Sequence, residues 1–121
     1  MRSPVEIRLL ADPDRLSMAE RERFRIGVVA ANTGPTAIDP DLFAAYLLVN
    51  GERSTAFDLA IGNGVVPAGW DVLPAGETTP AVEYRLGEAL FSEPGEYRLE
   101  LVLGGGEGAH VEATRTVVVT P

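Results

Sequence analysis

Apolar and polar residues alternate along several short stretches of the chain, and Gly or Pro residues separate one stretch from the next. The clearest stretch is residues 97–103, where every odd position is Tyr or Leu and positions 98 and 100 are charged. A period of two is typical of a strand with one buried face. The same pattern predicts seven strands in all, at residues 5–10, 23–31, 43–49, 55–61, 79–86, 97–103 and 109–120.

Some segments between and within these strands are less regular. Arg115 has the parity of the neighbouring apolar residues in the last strand, and a β-bulge near Arg115 would resolve the conflict. Residues 15–25 are compatible with a helix, but their apolar positions form no stripe at helical spacing, so we favour an edge-like lead-in to the second strand. The dipeptide Asn50-Gly51 predicts a hairpin turn, and residues 87–91 predict a single helical turn.

The size and composition fit one all-β domain over residues 1–121. The chain has 121 residues, of which 45% are hydrophobic, and its 13 Gly and 9 Pro are spread along it without forming a linker. Short strands separated by frequent turn residues are typical of two packed antiparallel sheets. We therefore predict a β-sandwich.

One local motif makes this prediction more specific. Residues 92–99, with the sequence Ser-Glu-Pro-Gly-Glu-Tyr-Arg-Leu, resemble the tyrosine corner of immunoglobulin domains. The resemblance implies that the Tyr97 ring packs in the core while its hydroxyl bonds a nearby backbone group. Residues 24–34, a strand followed by Asn-Thr-Gly, resemble bacterial immunoglobulin-like modules. Residues 73–77 and 94–97 are similar to segments of BsuPI-like intracellular proteinase inhibitors and of fibronectin-type modules.

These resemblances imply an immunoglobulin-like sandwich of about seven antiparallel strands in two sheets. They indicate a fold and not an activity. The chain departs from antibody domains in two places. It lacks the disulfide between the sheets, for which Val28 and Leu99 are the apolar substitutes, and Trp70 follows the fourth strand instead of lying on the third.

Composition removes several classes of chemistry. Cys is absent, which excludes disulfide frameworks, thiolate metal sites and cysteine nucleophiles, and a single His excludes a metal site built from several His of one chain. The formal net charge of −8 opposes contact with nucleic acid phosphates. Most of the Arg residues fall in the first 25 positions, and we interpret that stretch as a solvated face of alternating Glu and Arg.

The sequence predicts no targeting or membrane segment. Glu6 and Arg8 interrupt the only early apolar stretch, and the longest apolar run, residues 42–49, is far shorter than the roughly 18 residues that a membrane-spanning helix needs. As written, the chain is typical of a cytoplasmic protein. An excerpt from a longer exported protein would look the same, so that alternative stays open.

Motifs for catalysis or metal binding are weak. His110 has no serine in a nucleophile motif to activate, so we interpret it as a surface residue. Residues 12–14 and 39–41 are both Asp-Pro-Asp and suggest calcium, but each triplet supplies only two carboxylates, and we interpret both as turns. The Gly-rich residues 104–108 indicate a hairpin and not a phosphate cradle. We predict no enzyme activity, no cofactor and no metal site.

Two features indicate binding to a protein. The third strand is apolar on both parities, so the face with Tyr46 and Leu48 is either covered by a neighbouring element or exposed as an interface. Trp70, in a loop rich in Gly and Pro, is either a core plug, which we favour, or an exposed anchor of the hot-spot type. The candidate binding residues are therefore Trp70, Tyr46 and Leu48.

The sequence thus favours a non-catalytic binding or structural module that contacts a protein through loops or an edge strand. The partner is another protein or a second copy of the chain, which would associate through the third strand or the edge at residues 117–119. The alternative function is an intracellular proteinase inhibitor of the BsuPI-like kind. Inhibition needs an exposed, rigid loop, for which residues 62–69 are the candidate.

Overall fold

Two β-sheets that share one hydrophobic core form the protein. The computed structural model describes residues 5–62, 67–103 and 110–121. One sheet has the strand order β1-β3-β6, and the other has the order β2-β8-β7-β4-β5. The predicted all-β sandwich with two sheets is therefore confirmed. The strands are β1 (Val5–Asp12), β2 (Arg15–Ser17), β3 (Arg25–Asn32), β4 (Tyr46–Val49), β5 (Glu52–Arg53), β6 (Val82–Tyr84), β7 (Gly95–Leu103) and β8 (His110–Thr120).

Short helical segments connect these strands. They are the 3₁₀ helices η1 (Met18–Arg23) and η2 (Leu42–Ala44) and the α-helices α1 (Thr55–Gly62) and α2 (Gly87–Leu90). Helix α2 confirms the helical turn predicted at residues 87–91. Helix η1 corrects the prediction for residues 15–25, where Met18–Arg23 are helical between the short β2 and the start of β3. The Ser17 N–H and hydroxyl both bind the Glu20 carboxylate, at 3.0 and 2.9 Å, which favours the helical turn.

Helix α1 contradicts the strand predicted at residues 55–61. Its buried residues, Phe57 and Ile61, are four positions apart, so they fit one helix face as well as one strand face. The Ser54 side chain decides between the two, because its hydroxyl accepts a hydrogen bond from the Phe57 N–H at 3.2 Å. Leu59, which a strand would have buried, is 59% exposed.

Strand β2 makes the one parallel pairing among the described residues. It pairs with the end of β8, with Arg15 opposite Val118, whereas β1 pairs with β3 in the other sheet. The chain therefore changes sheets between β1 and β2. Because β2 of the same chain covers residues 118–120, the edge predicted for self-association at residues 117–119 is largely occupied.

The strand ends follow the local backbone chemistry. Asn50 and Gly51 have φ values of 50° and 86°, which confirms the predicted hairpin turn, although it leads into the short β5. The predicted strand at residues 79–86 is reduced to β6. Pro80 has no N–H to donate, and Thr79 is held through both its backbone and its hydroxyl by Ala30.

The predicted β-bulge occurs in β8 but not at Arg115. Leu99 pairs with Arg115, and Leu101 with Ala113, in regular register, and the shift follows at Val102, which pairs with Val111. Arg115 keeps its predicted parity, but its side chain is exposed and lines a cleft beside β1. The shift moves Val111 off the core face where the sequence pattern had placed it.

The tyrosine corner is present as the resemblance implied. Tyr97 is buried, its hydroxyl donates to the Glu93 carbonyl oxygen at 2.6 Å, and the same hydroxyl accepts from the Glu93 N–H at 3.3 Å. Val28 and Leu99, the predicted apolar substitutes for a disulfide, are both fully buried members of the core.

Candidate interaction surface

One face of the five-stranded sheet lies in the core, and the other carries the candidate surface. Leu47 on β4 pairs with Leu101 on β7, and both side chains are buried in the core. Because successive side chains of a strand alternate between faces, Tyr46 and Leu48 lie on the opposite, outer face. Both are half-buried. The strand that is apolar on both parities thus has one buried face and one partly exposed face.

Cross-strand register adds two apolar residues to this outer face. Tyr46 pairs with Val102 on β7, and Val102 pairs with Val111 on β8. Side chains of paired residues share a face with Cβ atoms about 4.5–5.5 Å apart, so the three form a row across the sheet. We call Tyr46, Leu48, Val102 and Val111 the outer apolar patch.

Val102 shows that the side chains of this patch pack on one another. It is only 4% exposed, yet it is not part of the core cluster. Side chains on its own face of the sheet must therefore cover it, and its paired neighbours are Tyr46 and Val111. Val111, at the end of the row, is 46% exposed.

Sequence reasoning identified Tyr46 and Leu48 but missed Val102 and Val111. The available signal for Val102 was its even parity in β7, which it shares with the charged residues 98 and 100. The signal for Val111 depended on the position of the β-bulge, which the sequence alone did not fix.

Arg53, which is hydrogen-bonded to helix α1, contacts Tyr46 of the patch. The Arg53 guanidinium lies 4.4 Å from the centre of the Tyr46 ring, within the range of a cation–π contact. Its Nε and Nη2 atoms donate to the two carboxylate oxygens of Asp58, at 2.9 and 3.4 Å. This hydrogen bonding raises the pKa of Arg53 above its ordinary value. Asp58 therefore positions a fixed positive charge beside Tyr46.

Charges of both signs surround the patch. Arg98 and Glu100 of β7 form an ion pair at 3.6 Å, and Leu48 lies between Glu100 and Arg53 in the sheet register. An apolar centre with a mixed, solvent-accessible polar rim is the usual arrangement of a protein–protein interface.

Trp70 lies away from this patch, in the core. It is 1% exposed, and its ring packs edge-on against Phe43 with centroids 5.1 Å apart. The favoured interpretation as a core plug is confirmed, and burial excludes the exposed-anchor alternative. The indole N–H has no hydrogen-bond partner among the described residues.

The second acidic triplet forms a turn, and His110 lies at the surface. The Asp39 carboxylate accepts a hydrogen bond from the Asp41 N–H at 2.8 Å, as a turn-forming Asp does. Within residues 5–62, 67–103 and 110–121, no group of three His, Asp or Glu side chains is placed to hold a metal ion. His110 is exposed, as predicted.

Two predicted loops fall partly or wholly outside the described residues. They are residues 63–66 of the candidate inhibitory loop at 62–69, and the Gly-rich hairpin at 104–108. In the part of the chain that is described, no helix has the length and apolar character to cross a bilayer. Comparison of the chain with protein-family models, curated proteins and solved structures gave no match.

Proposed function

We propose that the chain is a non-catalytic protein-interaction module that binds its partner through the outer apolar patch. The observation that carries this proposal is the row formed by Tyr46, Val102 and Val111 on the outer face of the five-stranded sheet. Outer faces of sandwich sheets are usually polar, because they face water. Here an apolar row crosses three strands and ends in a half-exposed Val111.

The geometry of the patch suits recognition of a folded protein surface. Tyr and Arg are enriched in interface centres, and the Arg53–Tyr46 stack is fixed before binding by Asp58. A fixed arginine loses less side-chain entropy on association than a free one. The charged rim adds orientation, because the Arg98–Glu100 pair presents both signs beside the apolar centre.

Strand order supports an immunoglobulin-like framework for this module. The β1-β3-β6 sheet has the order of immunoglobulin strands A, B and E, and the β8-β7-β4 part of the other sheet has the order of strands G, F and C. The tyrosine corner stands at the start of β7, where strand F of that fold carries it. Among the described residues no further strand pairs with β6, and the segment after β5 forms helix α1.

The proposal is tested by the substitution Val111→Glu, with Val72→Glu as the matched control. Both valines are about half exposed, but Val72 lies in a loop outside the patch. We expect the molar mass of the wild type and of Val72→Glu, measured by light scattering, to rise above 12.9 kDa with concentration. Val111→Glu should remain at that mass.

If all three proteins stay monomeric up to about 1 mM, where even weak dimers form, a second copy is excluded as the partner. The next experiment is then a pull-down from a cell lysate. A protein retained by the wild type and by Val72→Glu but lost with Val111→Glu would support the proposal. Equal molar mass and equal protein capture for Val111→Glu and Val72→Glu would contradict the proposal.

The inhibitor alternative remains a prediction from sequence resemblance. It depends on residues 62–69, of which 63–66 lie outside the described part of the chain. Residual activity of a panel of serine proteases, measured with micromolar protein, tests it directly. Undiminished activity across the panel would remove this function.

A further inference from the structure

A second feature lies at the edge of β8 that faces away from β7, where β1 and β8 run beside each other in different sheets. Strand β8 pairs with β7 along its whole length, but on its other side β2 covers only residues 118–120. Strand β1 likewise pairs only with β3. Both strands thus have an edge without a paired strand among the described residues.

The backbone of β8 fixes which groups face this open edge. The Val118 N–H donates to the Asp14 carbonyl oxygen at 2.9 Å, so it points away from β7. Backbone groups of a strand alternate in direction with a period of two. The N–H and C=O groups of Thr116 and Thr114 therefore point to the same side as those of Val118, beyond the end of β2. The register shift of β8 comes earlier in the strand and leaves these positions regular.

Residues of β1 and β8 line an open cleft of about 500 Å³ beside this edge. Its inner side is apolar, since Leu9 belongs to the core and Ile7 and Ala113 pack against it. Arg8 and Arg115 line the same cleft, and both are exposed. Neither arginine forms an ion pair within the described ranges of the chain.

We propose that this cleft binds an extended acidic peptide segment of another protein, which adds as a strand to the open edge of β8. Thr114 and Thr116 would supply the backbone hydrogen bonds. Apolar side chains at alternate positions of the peptide would contact Ile7, Leu9 and Ala113, and its carboxylates would meet Arg8 and Arg115. Strand addition of this kind takes affinity from main-chain hydrogen bonds and specificity from alternate side chains.

Charge selects the acidic peptide over the other occupants. Both charged side chains that line this cleft are arginines, whereas the cleft beside Arg25 and Arg85 also contains the carboxylates of Asp12 and Glu22. A basic or neutral strand would leave both guanidinium groups without a counter-charge. A second copy of the chain as occupant is distinguished by the dependence of the signal on protein concentration.

The test uses NMR of the full chain with a blocked peptide of alternating Val and Glu, about eight residues long, the length of an ordinary strand. We expect saturable shifts of the Thr114 and Thr116 amides and slower hydrogen exchange at both, with no such effect from the corresponding Val and Lys peptide. The double substitution Arg8→Glu and Arg115→Glu should weaken binding of the Val–Glu peptide at least about tenfold and allow the Val–Lys peptide to bind. The control Arg85→Glu replaces another exposed arginine, outside the cleft, and should leave the binding of both peptides unchanged.

Four results would overturn the proposal. One is the absence of shifts up to about 1 mM peptide. A second is equal binding of the acidic and basic peptides. A third is slow hydrogen exchange of the Thr114 and Thr116 amides in the protein without peptide. Slow exchange at low protein concentration would mean that the edge is already covered within one chain. Slow exchange only at high protein concentration would identify a second copy of the chain as the occupant. The last is a set of shifts confined to Tyr46 and Leu48, which would assign peptide binding to the outer apolar patch.

Discussion

Two groups of aromatic side chains in the same core are held in different ways. The corner cluster consists of Phe24, Phe91 and Tyr97, with ring centroids 4.8 Å apart in both contacts, and its one hydroxyl has two hydrogen bonds. The flank pair consists of Phe43 and Trp70. Phe43 is 47% exposed, and the buried Trp70 N–H has no partner among the described residues.

The difference reflects what covers each group. Helices η1 and α2 cover the corner cluster and are bound to each other, since Arg21 Nη1 donates to the Phe91 carbonyl oxygen at 2.9 Å. Phe43 of the flank pair belongs to η2, a single turn whose one buried residue is Leu42. Burial of aromatic area and satisfaction of polar groups both stabilise a core. We therefore expect the free energy of unfolding to depend much more on the buried Phe91 of the corner cluster than on the half-exposed Phe43.

The largest effect is expected from comparing Phe91→Ala with Phe43→Ala. Phe91 is fully buried, so its loss should lower the free energy of unfolding by about 3–5 kcal/mol. Phe43 is already half exposed, and its loss should cost about 1–2 kcal/mol. Urea unfolding followed by far-UV circular dichroism measures both.

If Phe91→Ala does not fold, Phe91→Leu offers a milder comparison with Phe43→Leu and the same expected order. Equal losses for the two positions would contradict the difference between the corner cluster and the flank pair.

The next effect concerns the close contact between α2 and η1. A Cβ atom on Gly87 would lie 2.0 Å from the Arg21 carbonyl oxygen and 3.0 Å from the Phe24 Cβ. Backbone must move to admit it, so Gly87→Ala should destabilise the fold by about 3 kcal/mol. Gly62→Ala is the control, because among the described residues no atom beyond its chain neighbours and its own helix lies within 4 Å of the added Cβ. Thermal unfolding should show a large loss for the first variant and none for the second, and equal melting temperatures would refute the contact.

The tyrosine corner was open to prediction because its signal is local. Tyr97 bonds Glu93, only four residues away, so the sequence 92–99 contains the whole motif. Helix α1 could not be predicted in this way, because Phe57 and Ile61 fit both the helical and the strand period. The capping hydrogen bond from the Phe57 N–H to the Ser54 hydroxyl does not show in a pattern of apolar and polar residues. The outer apolar patch was half predictable. Tyr46 and Leu48 follow from β4 alone, but Val102 and Val111 join them only through register between distant strands.

A smaller effect is expected from the Tyr97 hydroxyl. Tyr97→Phe keeps the ring and removes the bond to the Glu93 carbonyl oxygen, which should cost about 1 kcal/mol. Tyr84→Phe is the control, since Tyr84 is half-buried and its hydroxyl has no hydrogen bond among residues the structure describes. Urea unfolding should separate the two variants. A Tyr97→Phe protein as stable as wild type would show that the corner works through ring packing alone.

The smallest effect is a pH dependence confined to the corner side of the molecule. The Ser17 N–H and hydroxyl bind the Glu20 carboxylate at the start of η1 and lower its pKa from the ordinary 4.5, and Arg23 adds to this shift. A pKa that is lower in the folded state means that the unfolded state binds the proton more readily. The stabilisation is therefore present above about pH 4.5 and is lost as the pH falls through the folded-state value. Glu20→Gln should melt slightly below wild type at pH 7, and the two melting temperatures should converge below pH 4.5. Glu22→Gln, on the same helix, controls for the loss of a charge. A gap that stays constant on acidification would show that the Ser17–Glu20 contact does not hold η1 over the corner cluster, whose stability would then rest on the contact of Gly87 with Arg21 and on aromatic packing.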